Sequence, residues 1–177
     1  DQTTKGHTMR RIAKLVRRIG AAALCLGLAT GAATACPNWA TQRTAFGGGQ
    51  LTAGFMPDPI EVPRITAGGR HFLGDCFPGT NFTGFVITRP DYRLQYSGTS
   101  PTGYLKFTLV SGATDTVLLI NAPDGLYYFN DDIDLSNGNR NSSILFENPM
   151  QGQYDIWAGS FQPSSNNPAR LFISEVP

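Results

Sequence analysis

The sequence predicts an all-β protein, a two-sheet antiparallel β-sandwich of jelly-roll type preceded by a helical signal peptide. Three observations lead there. From residue 36 onward, short runs of β-branched and aromatic residues alternate with clusters of Gly, Pro, Asn and Asp, the chemistry of strands and tight turns. No segment there longer than ten residues sustains an apolar period of 3.6. The runs recur every eight to twelve residues or so, the spacing of sandwiches and jelly rolls.

Strands are predicted at Ile60–Thr66, Gly84–Thr88, Tyr92–Tyr96, Tyr104–Val110, Thr116–Asn121, Leu126–Phe129, Ser143–Glu147, Gln153–Ser160 and Arg170–Glu175. Gly98–Gly103 and Gln162–Pro168 have the composition of loops. Alternation assigns faces. Leu105, Phe107 and Leu109 share one side of their strand; Tyr154, Ala158 and Ser160 oppose Asp155, Trp157 and Gly159; Thr116–Ile120 is apolar on both faces, as in a central strand. The expected core is Leu105, Phe107, Leu109, Val117, Leu119, Ile144, Phe146, Tyr154, Ile156, Leu171 and Ile173. Val86–Tyr92 and Leu119–Gly125 echo one another as a strand ending in Pro-Asp, and read as equivalent hairpin corners rather than solenoid repeats.

Residues 1–8 are patternless and read as upstream sequence outside any fold. Residues 9–35 have the three parts of a secretory signal: a basic stretch from Met9 to Arg18, a short apolar run from Ile19, and Ala33-Thr34-Ala35 as a small-x-small cleavage site. The apolar run is too short for a membrane span, so an integral membrane protein is not expected. Cleavage before Cys36 leaves one domain, 36–177, in an extracellular or periplasmic setting. Six of the 14 Lys and Arg and one of the 13 Asp and Glu precede it, leaving 8 bases against 12 acids, a net charge of −4. That balance argues against a nucleic-acid partner. Cys25 leaves with the signal, and Cys36 and Cys76 then read as one disulfide. A free thiol, a metal-ligand pair and lipidation of Cys36 are the rival fates.

Several runs resemble a known family: Asp115–Gly125, then Tyr128-Phe129-Asn130-Asp131-Asp132, then Gly152–Phe161, with Cys36-Pro37-x-Trp39 and Gly84-Phe85-Val86 leading to Pro90-Asp91-Tyr92. They are similar to the bacterial pre-peptidase C-terminal (PPC-like) domains, and within these to short secreted alphaproteobacterial proteins carrying one such domain. The resemblance spans nearly all of 36–177. It implies a compact β-sandwich that elsewhere is a non-catalytic appendage of secreted proteases and collagenases, binding substrate or assisting secretion, with calcium bound in some relatives.

The acidic loop Asn130–Gly138 carries oxygen ligands at alternate positions, Asp132-x-Asp134-x-Ser136, a spacing that suits calcium. An EF-hand would need Gly sixth and Glu twelfth, where Asn137 and Ser143 stand. The expected Ca2+ set is therefore Asp115, Asn130, Asp131, Asp132, Asp134 and Ser136, with Asp124 as another donor from a neighbouring turn; the alternative is a solvated Asx-rich loop. His71 is the lone histidine after residue 35 and has no Gly-x-Ser-x-Gly companion, so no catalytic residues are assigned. Tyr92, Tyr96, Tyr127, Tyr128, Trp157 and Phe161 either pack or present faces to sugars or polypeptides. The expected function is a secreted binding or accessory module acting on an extracellular polypeptide or polysaccharide. The alternatives are a secreted hydrolase, a peptidase above all, and a self-associating structural protein.

Overall fold

A computed structural model describes residues 36–112 and 114–177; the predicted signal peptide and Cys25 lie outside the described residues. Eleven strands form here: β1 (Gly48–Thr52), β2 (Ile60–Gly69), β3 (His71–Phe72), β4 (Phe85–Val86), β5 (Tyr92–Ser97), β6 (Tyr104–Val110), β7 (Thr116–Asn121), β8 (Tyr127–Asn130), β9 (Ser142–Glu147), β10 (Gly152–Ser160) and β11 (Ser164–Ser174). A four-residue helix, α1 (Leu73–Cys76), and a 3-10 turn at Leu135–Asn137 complete the list of regular elements. One sheet is built around β10, which pairs β5 and β4 along one edge and β7 along the other; β1, β3 and β8 lie outside these. The second sheet runs β2-β11-β6-β9. This is the expected two-sheet, all-β sandwich.

The expectation of antiparallel pairing holds for every pair but one: β1 runs parallel to β5, Gly48 opposite Arg93. After β1 the chain crosses to the other sheet as β2 before returning, the kind of long connection that parallel neighbours require. The expected loop at Gln162–Pro168 is also corrected. From Ser164 it is the first half of β11, because β2 extends to Gly69 and offers it partners. The Asn167 amide donates to the Ala67 carbonyl at 3.1 Å. A bulge places two residues of β2, one of them Arg64 in the left-handed region at φ 65°, against Arg170.

Strand β10 sorts its side chains by parity. Tyr154, Ile156 and Ala158 enter the space between the sheets, with Leu94, Tyr96, Leu105, Phe107, Leu109, Ile144, Leu171 and Ile173. Trp157 points the other way, into a second buried cluster with Leu73, Val86, Val117 and Leu119. Val117 and Leu119 are thus buried as expected but on the opposite face; Leu118 and Ile120 fill the main core instead. Phe146 is only partly buried, edge-on to Tyr154 at 5.3 Å. The second cluster is roofed by α1 and the chain after it, where Phe77 meets Tyr127 and Phe82 meets Phe129 at 4.8 and 4.9 Å. Cys36 and Cys76 are joined in a disulfide that ties this roof to the N-terminal segment.

The two Pro-Asp turns are not equivalent. Pro123-Asp124 caps the β7–β8 hairpin, with Gly125 N donating to Ala122 O at 2.9 Å. Pro90-Asp91 instead interrupts two strands that both pair with β10, and buried Asp91 accepts from Ala158 N at 2.8 Å.

Gly159 shows how tightly these layers meet. A Cβ there would lie 2.3 Å from Val117 Cγ2 and 2.7 Å from Phe85 O. Gly159→Ala is expected to cost about 1–3 kcal/mol, read as a lower thermal midpoint. Gly112→Ala, with nothing within 4 Å of the new methyl, is the reference and is expected to leave the midpoint nearly unchanged.

Candidate functional site

The predicted calcium ligands divide into two groups. Asp134 caps the 3-10 turn: its carboxylate accepts from the Ser136 hydroxyl, from Asn137 N at 3.3 Å and from the Asn137 amide. These hydrogen bonds hold its carboxyl below the usual range. Asn130 bridges the edges of the two sheets, donating to Asp132 O at 3.1 Å and accepting from Ser143 N at 2.9 Å. Asp134 and Ser136 are thus bonded to one another within the turn, and Asn130 to the loop and to β9. Asp124 is also occupied at its hairpin, accepting from Leu126 N at 2.9 Å and Tyr128 Oη at 2.6 Å.

Asp115, Asp131 and Asp132 form the other group. Asp115, at the entry to β7, receives Arg140 Nη1 at 3.4 Å on one oxygen. Its other oxygen, and Oδ1 of Asp132, are shielded from solvent and have no hydrogen-bond partner among the described residues. Burial first, and then the negative charge of Asp132, push the Asp115 carboxyl up; Arg140 pulls it down and Asp131 adds a smaller push. A buried carboxylate oxygen without a donor is costly and fits a cation ligand. Asp115 lines a polar groove of about 700 Å³ with Ser111, Thr114, Asn139, Arg140 and Asn141. Among the described residues no three His, Cys, Asp or Glu side chains close on one point. A cation here would thus rest on Asp115 and Asp132 and complete its shell with neutral oxygens or water.

His71 sits elsewhere, its Nε2 3.0 Å from Thr88 Oγ1. The depression around it is lined by Gly69, Arg70, Ile87, Thr88 and Arg89. No serine, cysteine or carboxylate is among these.

Most of the aromatic residues singled out by the sequence belong to the fold. Trp157 and Tyr96 are fully buried. Trp157 donates to Thr88 O at 3.3 Å. The Tyr96 phenol donates to Glu175, and burial followed by that carboxylate pushes it up. Tyr92, Tyr127 and Tyr128 are half-buried, and Phe161 is 39% exposed. Trp39, marked in the sequence only as part of the Cys36-Pro37-x-Trp39 run, is the most exposed large aromatic side chain among the described residues at 52%. Its one sequence signal is its place three residues after Cys36. Arg93 determines where it stands: Nε pairs with Asp155 Oδ1 at 2.6 Å, while Nη2 donates to the carbonyls of Trp39 at 2.8 Å and Thr41 at 3.0 Å.

No family model and no curated protein matches the chain. No helix among the described residues is long and apolar enough to cross a membrane.

Proposed function

We propose that this chain is an exported, non-catalytic β-sandwich that serves as a binding or accessory module for an extracellular polypeptide or polysaccharide, with Ca2+ held by Asp115 and Asp132. The observation that carries the reading is the pair of buried, partnerless carboxylate oxygens of Asp115, which lines a polar groove at the β7 entry, and of Asp132, whose charge acts on it. The signal-like residues 9–35 and the Cys36–Cys76 disulfide support export, since such bonds persist in oxidising compartments. The likeness of Asp115–Gly125 and Gly152–Phe161 to PPC-like domains supports an accessory role. Bound calcium would neutralise the two carboxylates and tie the β8–β9 loop to β7.

Millimolar calcium is expected to raise the thermal midpoint over EDTA by about 5 °C or more, as saturating ligand does. Asp115→Asn and Asp132→Asn should each abolish that rise; an equal midpoint in calcium and EDTA rejects the metal. In EDTA, Asp115 also leaves a pH signature. A carboxyl raised by folding contributes stability that is complete below its unfolded value, about 4, and is lost as pH climbs through its folded value. Asp115→Asn cannot ionise there, so its stability relative to wild type should increase as pH rises from that value. Peptide-library turnover that disappears with His71→Ala or Asp132→Asn would overturn the non-catalytic assignment.

A further inference from the structure

We infer that the pocket bordered by Trp39 is a saccharide-binding subsite that takes a neutral pyranose ring of an extracellular glycan. The inference rests on the binding-module reading and supplies its ligand class.

The pocket, of about 390 Å³, combines two kinds of wall. Trp39 supplies an indole that is half in water, where it contributes little to the fold and offers a face to the C–H side of a sugar. Gln151 and Gln153 supply accessible amides of the kind that meet hydroxyls. Asn121 and Asp155 are buried behind them, the Asn121 amide donating to Gly125 O and Leu126 O. One guanidinium joins the two walls, since Arg93 holds both the Trp39 carbonyl and the Asp155 carboxylate. The other Asp155 oxygen accepts from Gln153 Nε2 at 2.7 Å. On the far side of Trp39, Asn38 N donates to Thr88 O at 2.8 Å, and its side chain accepts from Ala40 N at 2.9 Å. The indole is therefore carried on fixed backbone, which lowers the entropy lost on binding. Gly152 keeps the floor close: its φ is +137°, and a Cβ would lie 2.9 Å from Pro123 Cβ.

Two further observations select a neutral glycan. The pocket lies against the start of β10, paired with β5 over Gly152–Ile156; β7 pairs its other edge only from Asp155, and Pro123 packs against Gly152 before that. The stretch of strand edge left to an extended peptide is thus short, and recognition falls mainly to side chains. The charge of Asp155 is already matched by Arg93, and residues 36–177 carry 8 bases against 12 acids, which disfavours an acidic polymer.

The chain has two tryptophans, and Trp157 is fully buried, so protection of indole emission from acrylamide reports Trp39. The probes are β-1,3-glucan, hydroxyethyl cellulose, xylan, galactomannan and chitin oligosaccharides, with alginate as the acidic comparison. At least one neutral probe is expected to protect Trp39. In calorimetry, Trp39→Ala should weaken that probe at least tenfold and Gln151→Ala several-fold, with midpoints within a few degrees of wild type. Trp39→Phe should retain part of the affinity. No protection by any neutral probe, equal affinity in Trp39→Ala, or preference for alginate would each overturn the inference while leaving the module reading standing. Release of reducing ends that is lost in Trp39→Ala would uphold the site and overturn the non-catalytic assignment instead.

Discussion

Replacing Arg93 with alanine is expected to destabilise the protein by about 3–5 kcal/mol, the range for removing one partner of a buried ion pair. The Asp155 side chain is 2% exposed, so the variant would leave a carboxylate out of water with only the Gln153 amide for company. The carbonyls of Trp39 and Thr41 would lose their donor at the same time. The thermal midpoint should fall by on the order of 10 °C, and urea denaturation gives the free energy directly. Arg93→Lys is expected to recover only part of the loss, because an ammonium keeps the charge but not the fork that spans a carboxylate and two carbonyls. A loss below about 1 kcal/mol, the worth of an exposed pair, would show that Asp155 is relieved some other way.

Removing the disulfide is the second large effect. Cys36 and Cys76 are 40 residues apart. Opening that loop in the unfolded chain costs about 4 kcal/mol on the loop-entropy account. The double variant Cys36→Ser/Cys76→Ser should therefore unfold at clearly lower urea than wild type. The damage should be local first, since the bond anchors the roof over Leu73, Val117, Leu119 and Trp157. Trp157 emission should shift red before the main core opens. Equal midpoints for wild type and the variant would mean that the Phe77–Tyr127 and Phe82–Phe129 contacts secure the roof unaided. The pairing also bears on the fate of Cys36: a sulfur held in a disulfide is not available for a lipid thioether.

The strands with the strongest patterning were legible residue for residue. Tyr104–Val110 and Thr116–Asn121 appear with the predicted bounds, the first from its clean alternation and the second from being apolar on both faces. The separation of Tyr154 from Trp157 followed from parity alone. What escaped was decided by partners rather than by local chemistry. Strand β1 begins Gly48-Gly49, which carries no side-chain pattern; it is a strand because it fits against β5, where a Cβ on Gly48 would lie 2.5 Å from Arg93 O. The start of β11 has turn composition and is held extended by β2. The division of the acidic residues follows the same logic. Spacing singled out Asp132, Asp134 and Ser136 as one set, whereas the turn absorbs the last two and the fold brings Asp115 toward Asp132. The Trp39 backbone is held by Arg93, which is remote in sequence and left no local mark.

The placement of β2 has a consequence for how the chain is made. Its hydrogen-bonded neighbour in the sheet is β11, and Ala67 and Asn167 meet across 100 residues. A ribosome adds roughly 5–20 residues per second, so β2 waits about 5–20 s for the strand that completes it. During that interval neither β2 nor β6 can be locked into its sheet by β11, which lies between them. Folding of this topology is limited by distant contacts, and β11 acts as the clasp. A nascent chain stalled before Ser164 should remain open to protease and competent to thread through a narrow pore, and the addition of β11 should end both properties together.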